Sequence, residues 1–322
     1  MDNLTHSLAG AALGYAGLKQ KTGLGLLTLI VAANIPDIDA VAVLVEKHLV
    51  WRRGWTHGPI GLLLLPPLLA AAVLGFDRWQ IRRGSRPVGR LPVQFGPLLL
   101  LAYIGAMSHP LLDILNTYGL RLMMPFSERW FYGDTVFIID IWLWAVLAAG
   151  VWASHRRCRK ASPRRFLPAT VSLVCASAYI GLMAAASVQA ERITARAVER
   201  RGLGPIDEVV ANPGPFNPFQ RRMVFRLGDR YGFGEVRWTP TPELQIESAL
   251  IASNMNDEVV ARAARSDQRM ADFLYWSRLP LASIATEADA LIVTVWDARY
   301  ADTAEDAPFK HATRLKREGR ID

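Results

Sequence analysis

FGPLLLLAYIGAMSHPLLDIL, residues 95–115, decides what kind of molecule this is. The run is apolar over the roughly 20 residues that a bilayer core requires. Yet it carries His109 and Asp113 toward its end. An ionisable side chain in lipid is costly unless a partner compensates it, so such residues mark functional positions. Spaced four apart, these two project from one face of a helix and can share one metal ion.

Working outward, the same residue types recur beside other apolar stretches. They are His6 in Asp2-Asn3-Leu4-Thr5-His6, Asp37 and Asp39 in Asn34-Ile35-Pro36-Asp37-Ile38-Asp39, and His57 in Trp55-Thr56-His57-Gly58. Apolar segments run at about 4–18, 24–45, 58–76, 95–115, 135–153 and 166–188. The last four are long enough to span a bilayer. The first is short and rich in Gly and Ala, which fits a half-span or an interfacial helix. Pro36 breaks the second just before its two aspartates, and a broken helix is tolerated at membrane depth where it lines a polar cavity. The expected fold is mainly α: a multi-pass transmembrane helical bundle over residues 1–189, then a smaller soluble α+β domain over 190–322.

Charge supports that division. Residues 1–189 hold 18 Lys or Arg and 9 Asp or Glu, whereas residues 190–322 hold 19 and 20. The net charge of +8 therefore belongs to the first part. It is concentrated in the loops 78–90 and 156–165, as in cytoplasmic loops of an inner-membrane protein, so a nucleic-acid partner is not expected. With those loops inside the cell and the chain alternating, His6, Asp37, Asp39, His57, His109 and Asp113 fall toward the opposite face. The C-terminal domain then lies outside, in a periplasm if there is one. Arg52 and Arg53 count against this orientation.

The residue types suggest chemistry. Two histidines and a carboxylate (His57, His109 and Asp113) outline a hydrolytic metal site with an open position. His57 precedes Gly58-Pro59, where a helix can start. Pro110 weakens a helix interior but suits a first turn. Asp37 and Asp39, two apart, cannot share one face of an ideal helix. One can bind metal or act as the general base while the other orients a ligand histidine. His6 is either a ligand to a second ion or a hydrogen-bonding neighbour of the first. Arg121 could hold a phosphate or carboxylate, and Asp140, within an apolar run, needs a partner. His155 and His311 read as ordinary exposed residues. Cys158 and Cys175 have no metal spacing. No Walker loop, Gly-x-Ser-x-Gly elbow or His-Glu-x-x-His motif occurs.

The tail contains a plausible hairpin, 222–226 with 231–238 around Gly228-Asp229, a helical stripe over 256–277 and a strand at 291–296. Its Pro-rich stretch 212–219 reads as a loop, and the last dozen residues as a frayed end.

In this order, the motifs at residues 2–6, 34–39, 53–57 and 108–113 resemble the YdjM-like family of membrane-bound predicted metal-dependent hydrolases, over roughly residues 1–185. The order His, Asp, His, His-x-x-x-Asp is also similar to the zinc-dependent phospholipase C and P1-type nuclease group. That likeness implies His57, His109 and Asp113 on one metal, His6 contributing to another, and one aspartate of the 37/39 pair handling the attacking water. The chain departs from the group downstream, with no histidine between His109 and His155. The expectation is an enzyme of the bacterial inner membrane using one or two divalent ions, Zn²⁺ first and Mn²⁺ second. It would act on a lipid-like or envelope phosphoester in the bilayer. The competing classes are an ion-binding transporter and a metal-stabilised membrane anchor without catalysis.

Overall fold

A computed structural model describes residues 1–45, 48–287 and 289–316. The chain forms two compact units, Met1–Ala185 and Ala186–Asp322, and the division falls within one long helix.

The first unit is helical: α1 (Asn3–Tyr15), α2 (Gly25–Ala32), α3 (His48–Trp51), α4 (Pro59–Arg82), α5 (Phe95–Asp113), α6 (Ile141–Arg159) and α7 (Leu167–Arg200), with a 3₁₀ segment at Ile35–Val45. Three of these helices are long and apolar enough to cross a membrane: α4, α5 and α7. The break at Pro36 leaves α2 and residues 35–42 as a pair bent by 42°, a broken span of the kind its sequence suggests. Segment 135–153 differs from expectation. Its helix starts only at Ile141, because the Asp140 carboxylate caps it by accepting from the N–H groups of Trp142 and Leu143. It then runs on into Arg156, Arg157 and Arg159, so it is not among the helices long and apolar enough to span.

Large aliphatic side chains stand exposed on these helices, among them Leu63, Leu68, Val174 and Leu182. A soluble protein rarely exposes so many, but lipid-facing helices do. Inside, close packing relies on small residues. Helix α2 is held between α1 and α5 by two glycines. A Cβ on Gly10 would stand 2.7 Å from the Leu29 carbonyl oxygen, and one on Gly105 2.6 Å from Ala32 Cβ. Ala12, Leu143 and Leu147 fill the α1–α6 side, and Ala70, Leu98 and Ala102 the α4–α5 side.

The second unit holds an antiparallel sheet in the order β1 (Glu208–Pro213), β2 (Gln220–Leu227), β3 (Arg230–Arg237), β4 (Glu243–Ile246), with β5 (Ile251–Ala252) also on β3. A second antiparallel sheet orders β6 (Pro280–Glu287), β7 (Ala290–Asp297) and β8 (Lys310–Lys316). Gly228, at φ +64°, turns β2 into β3 as the hairpin reading requires. Both sheets contribute to one core containing Val210, Val224, Phe233, Leu281 and Trp296.

Three tail expectations change. Asn212 and Pro213 belong to β1 rather than a loop. The stripe over 256–277 is two helices, α8 (Glu258–Ser266) and α9 (Gln268–Trp276), divided at an extended Asp267. Burial pushes the Asp267 carboxyl up, but hydrogen bonds from His311, Thr313 and the Arg269 N–H hold it down at about 2. Those bonds reach β8, so residues 310–316 form a strand rather than a frayed end and His311 is engaged; 317–322 lie outside the described residues.

Candidate metal centre

Asp37, His57, His109 and Asp113 converge. Each offers one ligand atom, all four atoms lie within 4.8 Å of one another, and all four residues are buried. His109 and Asp113 come from the last turn of α5, on one face as their spacing predicts, with His109 Nε2 3.3 Å from Asp113 Oδ2. Pro110 sits in the interior of α5 and not in a first turn. It forfeits the helical hydrogen bond that an N–H there would give to the Ala106 carbonyl. His57 stands just ahead of α4, whose N-cap is Gly58 and first residue Pro59. Its Nε2 lies 3.0 Å from His109 Nε2 and 3.4 Å from Asp113 Oδ2. Asp37 Oδ1 completes the group at 3.7 Å from His57 Nε2 and 3.9 Å from His109 Nε2.

The surrounding hydrogen bonds determine what those nitrogens can do. His109 Nδ1 lies 2.7 Å from the carbonyl oxygen of Ala33, the C-cap residue of α2. A carbonyl only accepts, so Nδ1 carries the proton and a neutral ring turns the Nε2 lone pair inward. His57 Nδ1 faces Asp39 Oδ2 at 3.2 Å and Thr56 Oγ1 at 3.1 Å. Thr56 already donates to Asp39 Oδ2, at 2.8 Å, leaving its oxygen to accept from His57. The same logic then turns the His57 Nε2 lone pair inward.

Two nitrogen lone pairs and two carboxylate oxygens thus point at one buried spot. A proton on one nitrogen would relieve a single pair, whereas a divalent cation satisfies all four at once. A tetrahedral ion with bonds of about 2.0–2.1 Å sets its ligand atoms about 3.3 Å apart; the five separations above, 3.0–3.9 Å, bracket that figure, and all four atoms lie within 4.8 Å of one another. The residues fit a metal. Hydrogen-bonded histidines backed by a carboxylate and a backbone carbonyl are the usual support for such an ion.

The two aspartates divide the roles left open by the sequence. On a 3₁₀ segment, with three residues per turn, positions two apart diverge. Asp37 turns to the ligand group. Asp39 turns to His57 and also accepts from the Arg53 N–H at 2.8 Å. His6 lies outside the four-ligand group. Its ring stacks on His109 with centroids 3.8 Å apart, and its Nε2 is 3.3 Å from Asp113 Oδ1. Both His6 ring nitrogens are buried without a hydrogen-bond partner among the described residues.

Arg53 is the functional residue that the sequence conceals, because there it counts only as a topological charge. It is 2% exposed, and its Nη2 lies 3.3 Å from Asp113 Oδ1. Its Nη1 donates to Asn116 Oδ1 at 3.1 Å and to the Gly119 carbonyl at 3.2 Å. The α-amino group of Met1 meets the same Asp113 oxygen. The Arg53 guanidinium gives Asp113 Oδ1 a cationic partner, whereas Oδ2 has no hydrogen-bond partner among the described residues and is left to an ion. Arg53 also has a φ of +55°, a backbone state costing a non-glycine residue of order 1–3 kcal/mol and characteristic of functional sites. The signal available in the sequence is its place in the motif Arg53-Gly54-Trp55-Thr56-His57.

Other candidates are structural. Arg121 donates to the carbonyls of Val50 and Arg52 and so holds the loop carrying Arg53. Asp140 caps α6 and accepts from Tyr179. His155 pairs with the Tyr15 hydroxyl at 2.7 Å. Asp2 caps α1 and draws in the Trp144 indole N–H.

Fold and site together define a membrane protein whose helical part encloses a buried group able to hold a metal ion. The chain belongs to the YdjM inner membrane protein family, which it matches over residues 1–190, a range containing every residue of the site. It is similar to a Bacillus subtilis (strain 168) protein described as "Uncharacterized protein YfhP", at 28% identity over 144 residues. That match covers 40% of this chain and 39% of the relative's length. No solved structure matches.

Proposed function

We propose that the protein is a multi-pass inner-membrane hydrolase that uses a divalent metal, Zn²⁺ before Mn²⁺, to cleave a lipid or envelope phosphoester. One observation carries the reading: two histidine lone pairs, aimed inward by their own hydrogen bonds, meet two carboxylate oxygens in the buried interior of the helical unit. When bound, such an ion supplies a water of near-neutral pKa and polarises the scissile group. The chain's residues do the rest. Asp39 and Thr56 hold the His57 ring, and the Ala33 carbonyl holds that of His109. Arg52, whose Nη2 stands 3.5 Å from Asp37 Oδ1, offers a cation to an anionic substrate at the edge of the site. Asp37 stands farthest of the four from its neighbours, so in this reading His57, His109 and Asp113 hold the ion and the Asp37 carboxylate, beside Arg52, takes the proton from water.

A second reading has its own support. Four protein ligands make a closed shell, and closed shells are typical of structural ions. The protein would then be an anchor stabilised by its metal. Asp37→Ala separates the two. In a hydrolase, the variant keeps its ion and most of its thermal stability but loses phosphodiester cleavage by about 10²-fold or more, the scale of a lost acid–base group. In an anchor, metal and thermal stability fall together and the wild type cleaves nothing.

In this reading the basic loops 78–90 and 156–165 lie in the cytoplasm, which requires α6 to cross beside α5 although it falls short of a full apolar span, and the second unit lies on the far side. Single cysteines placed at Arg86 and Arg262, probed with a membrane-impermeant maleimide, should label from opposite sides. Labelling from the same side would contradict the topology.

A further inference from the structure

A cavity of about 410 Å³ opens beside the metal centre, against α2 and the 3₁₀ segment that follows it. Its wall is formed by Ile30, Val31, Ile35 and Ile38, and its polar lining by Asn3, Asn34 and Asp37. The volume lies within the range of about 300–1,000 Å³ usual for small-ligand sites. The wall is not sealed by protein: Val31 is 37% exposed and Ile38 59% exposed. These residues belong to the bent pair that makes the broken span. Apolar side chains left open at membrane depth face hydrocarbon.

Two features say what fits there. Asp37 is shared: it lines the cavity and also stands among the four ligands. A molecule lying in the groove would therefore have one end at the metal centre. Arg52 adds a cation at that end, 3.5 Å from Asp37, with its side chain 31% exposed. The groove is thus apolar along its wall, and of the ligand group only Asp37 lines it, with Arg52 standing beside Asp37 outside that lining.

We infer that this groove is the chain-binding subsite of an amphiphile, holding an aliphatic chain against Ile30, Val31, Ile35 and Ile38 while an anionic head group meets Arg52 and the ion that Asp37 would help hold. The inference rests on the metal-centre reading above and narrows the substrate to molecules that enter sideways from the bilayer. Short sugar phosphates and nucleotides lack the chain and use none of this wall.

The test uses the full chain, purified in detergent and loaded with Zn²⁺, titrated calorimetrically with methyl, butyl and hexyl phosphate and with hexanol. Each methylene buried in the groove should tighten binding by up to about fourfold. Hexyl phosphate should then bind far more tightly than methyl phosphate. Val31→Trp and Ile38→Trp, both at exposed positions, should shrink the hexyl-to-methyl ratio while retaining the metal. Equal affinities across the series would overturn the groove and leave the phosphoester reading standing. The same holds for a chain-length effect that neither substitution alters. If no phosphate binds but hexanol does, and Val31→Trp weakens it, the groove stands and the phosphoester reading falls. Silence from all four probes overturns both.

Discussion

His57 shows how much of this site is decided by one hydrogen bond. With Nδ1 tied to Asp39 and Thr56, its Nε2 faces His109 Nε2 at 3.0 Å as a second acceptor. Asp39→Asn keeps the size of the side chain but removes the charge that orders the ring. Metal affinity should fall by roughly 10–100-fold, the usual effect of losing such a supporting partner, as read by competition with a chelator. An unchanged affinity would mean that Asp39 does not orient His57. The residue types of the site were legible in the sequence, because histidine and aspartate are too costly in apolar runs to persist there without a function. The division of labour between Asp37 and Asp39 was not. It depends on the distant partners each carboxylate meets in the fold, His57 Nδ1 and the Arg53 N–H for Asp39 and the ligand group for Asp37. Arg53 was hidden for another reason: an arginine near a membrane end reads first as a topological charge, and only packing shows it buried on Asp113.

At the scale of elements, α2 matters more than its eight residues suggest. It is too short to span a membrane alone, yet its C-terminal Ala33 carbonyl sets the tautomer of His109. Its position against α5 depends on Gly105, where an added Cβ would stand 2.6 Å from Ala32 Cβ and 2.8 Å from the Leu29 carbonyl oxygen. Gly105→Val should push α2 away and cost about 1–3 kcal/mol or more, as overpacking does. Metal affinity should fall with it, because the Ala33 carbonyl moves. Thermal unfolding with and without metal checks this; a stable variant with full metal affinity would contradict it. Spans α4, α5 and α7 were readable from length and composition. The true start of α6 was not, since Asp140 could be read as a buried charge before its role as a cap was visible. Likewise the helical stripe in the tail conceals Asp267, whose partners His311 and Thr313 lie 44 and 46 residues away.

For the whole molecule, the family match and the site coincide: residues 1–190 contain the broken span, α4, α5, most of α7 and all four ligand positions. The second unit, with its two sheets, lies almost wholly beyond the matched range. Its sequence was legible as strands and turns, but nothing in its composition points to a chemical role. The proposed chemistry therefore depends on the helical unit holding an ion. The most direct test is elemental analysis of the detergent-purified full chain beside His57→Ala and His109→Ala, with folding checked by circular dichroism. About one zinc or manganese per chain is expected in the wild type and close to none in either variant. A folded wild type that holds no metal, even after reconstitution with Zn²⁺ or Mn²⁺, would contradict the metal centre and the hydrolase built on it.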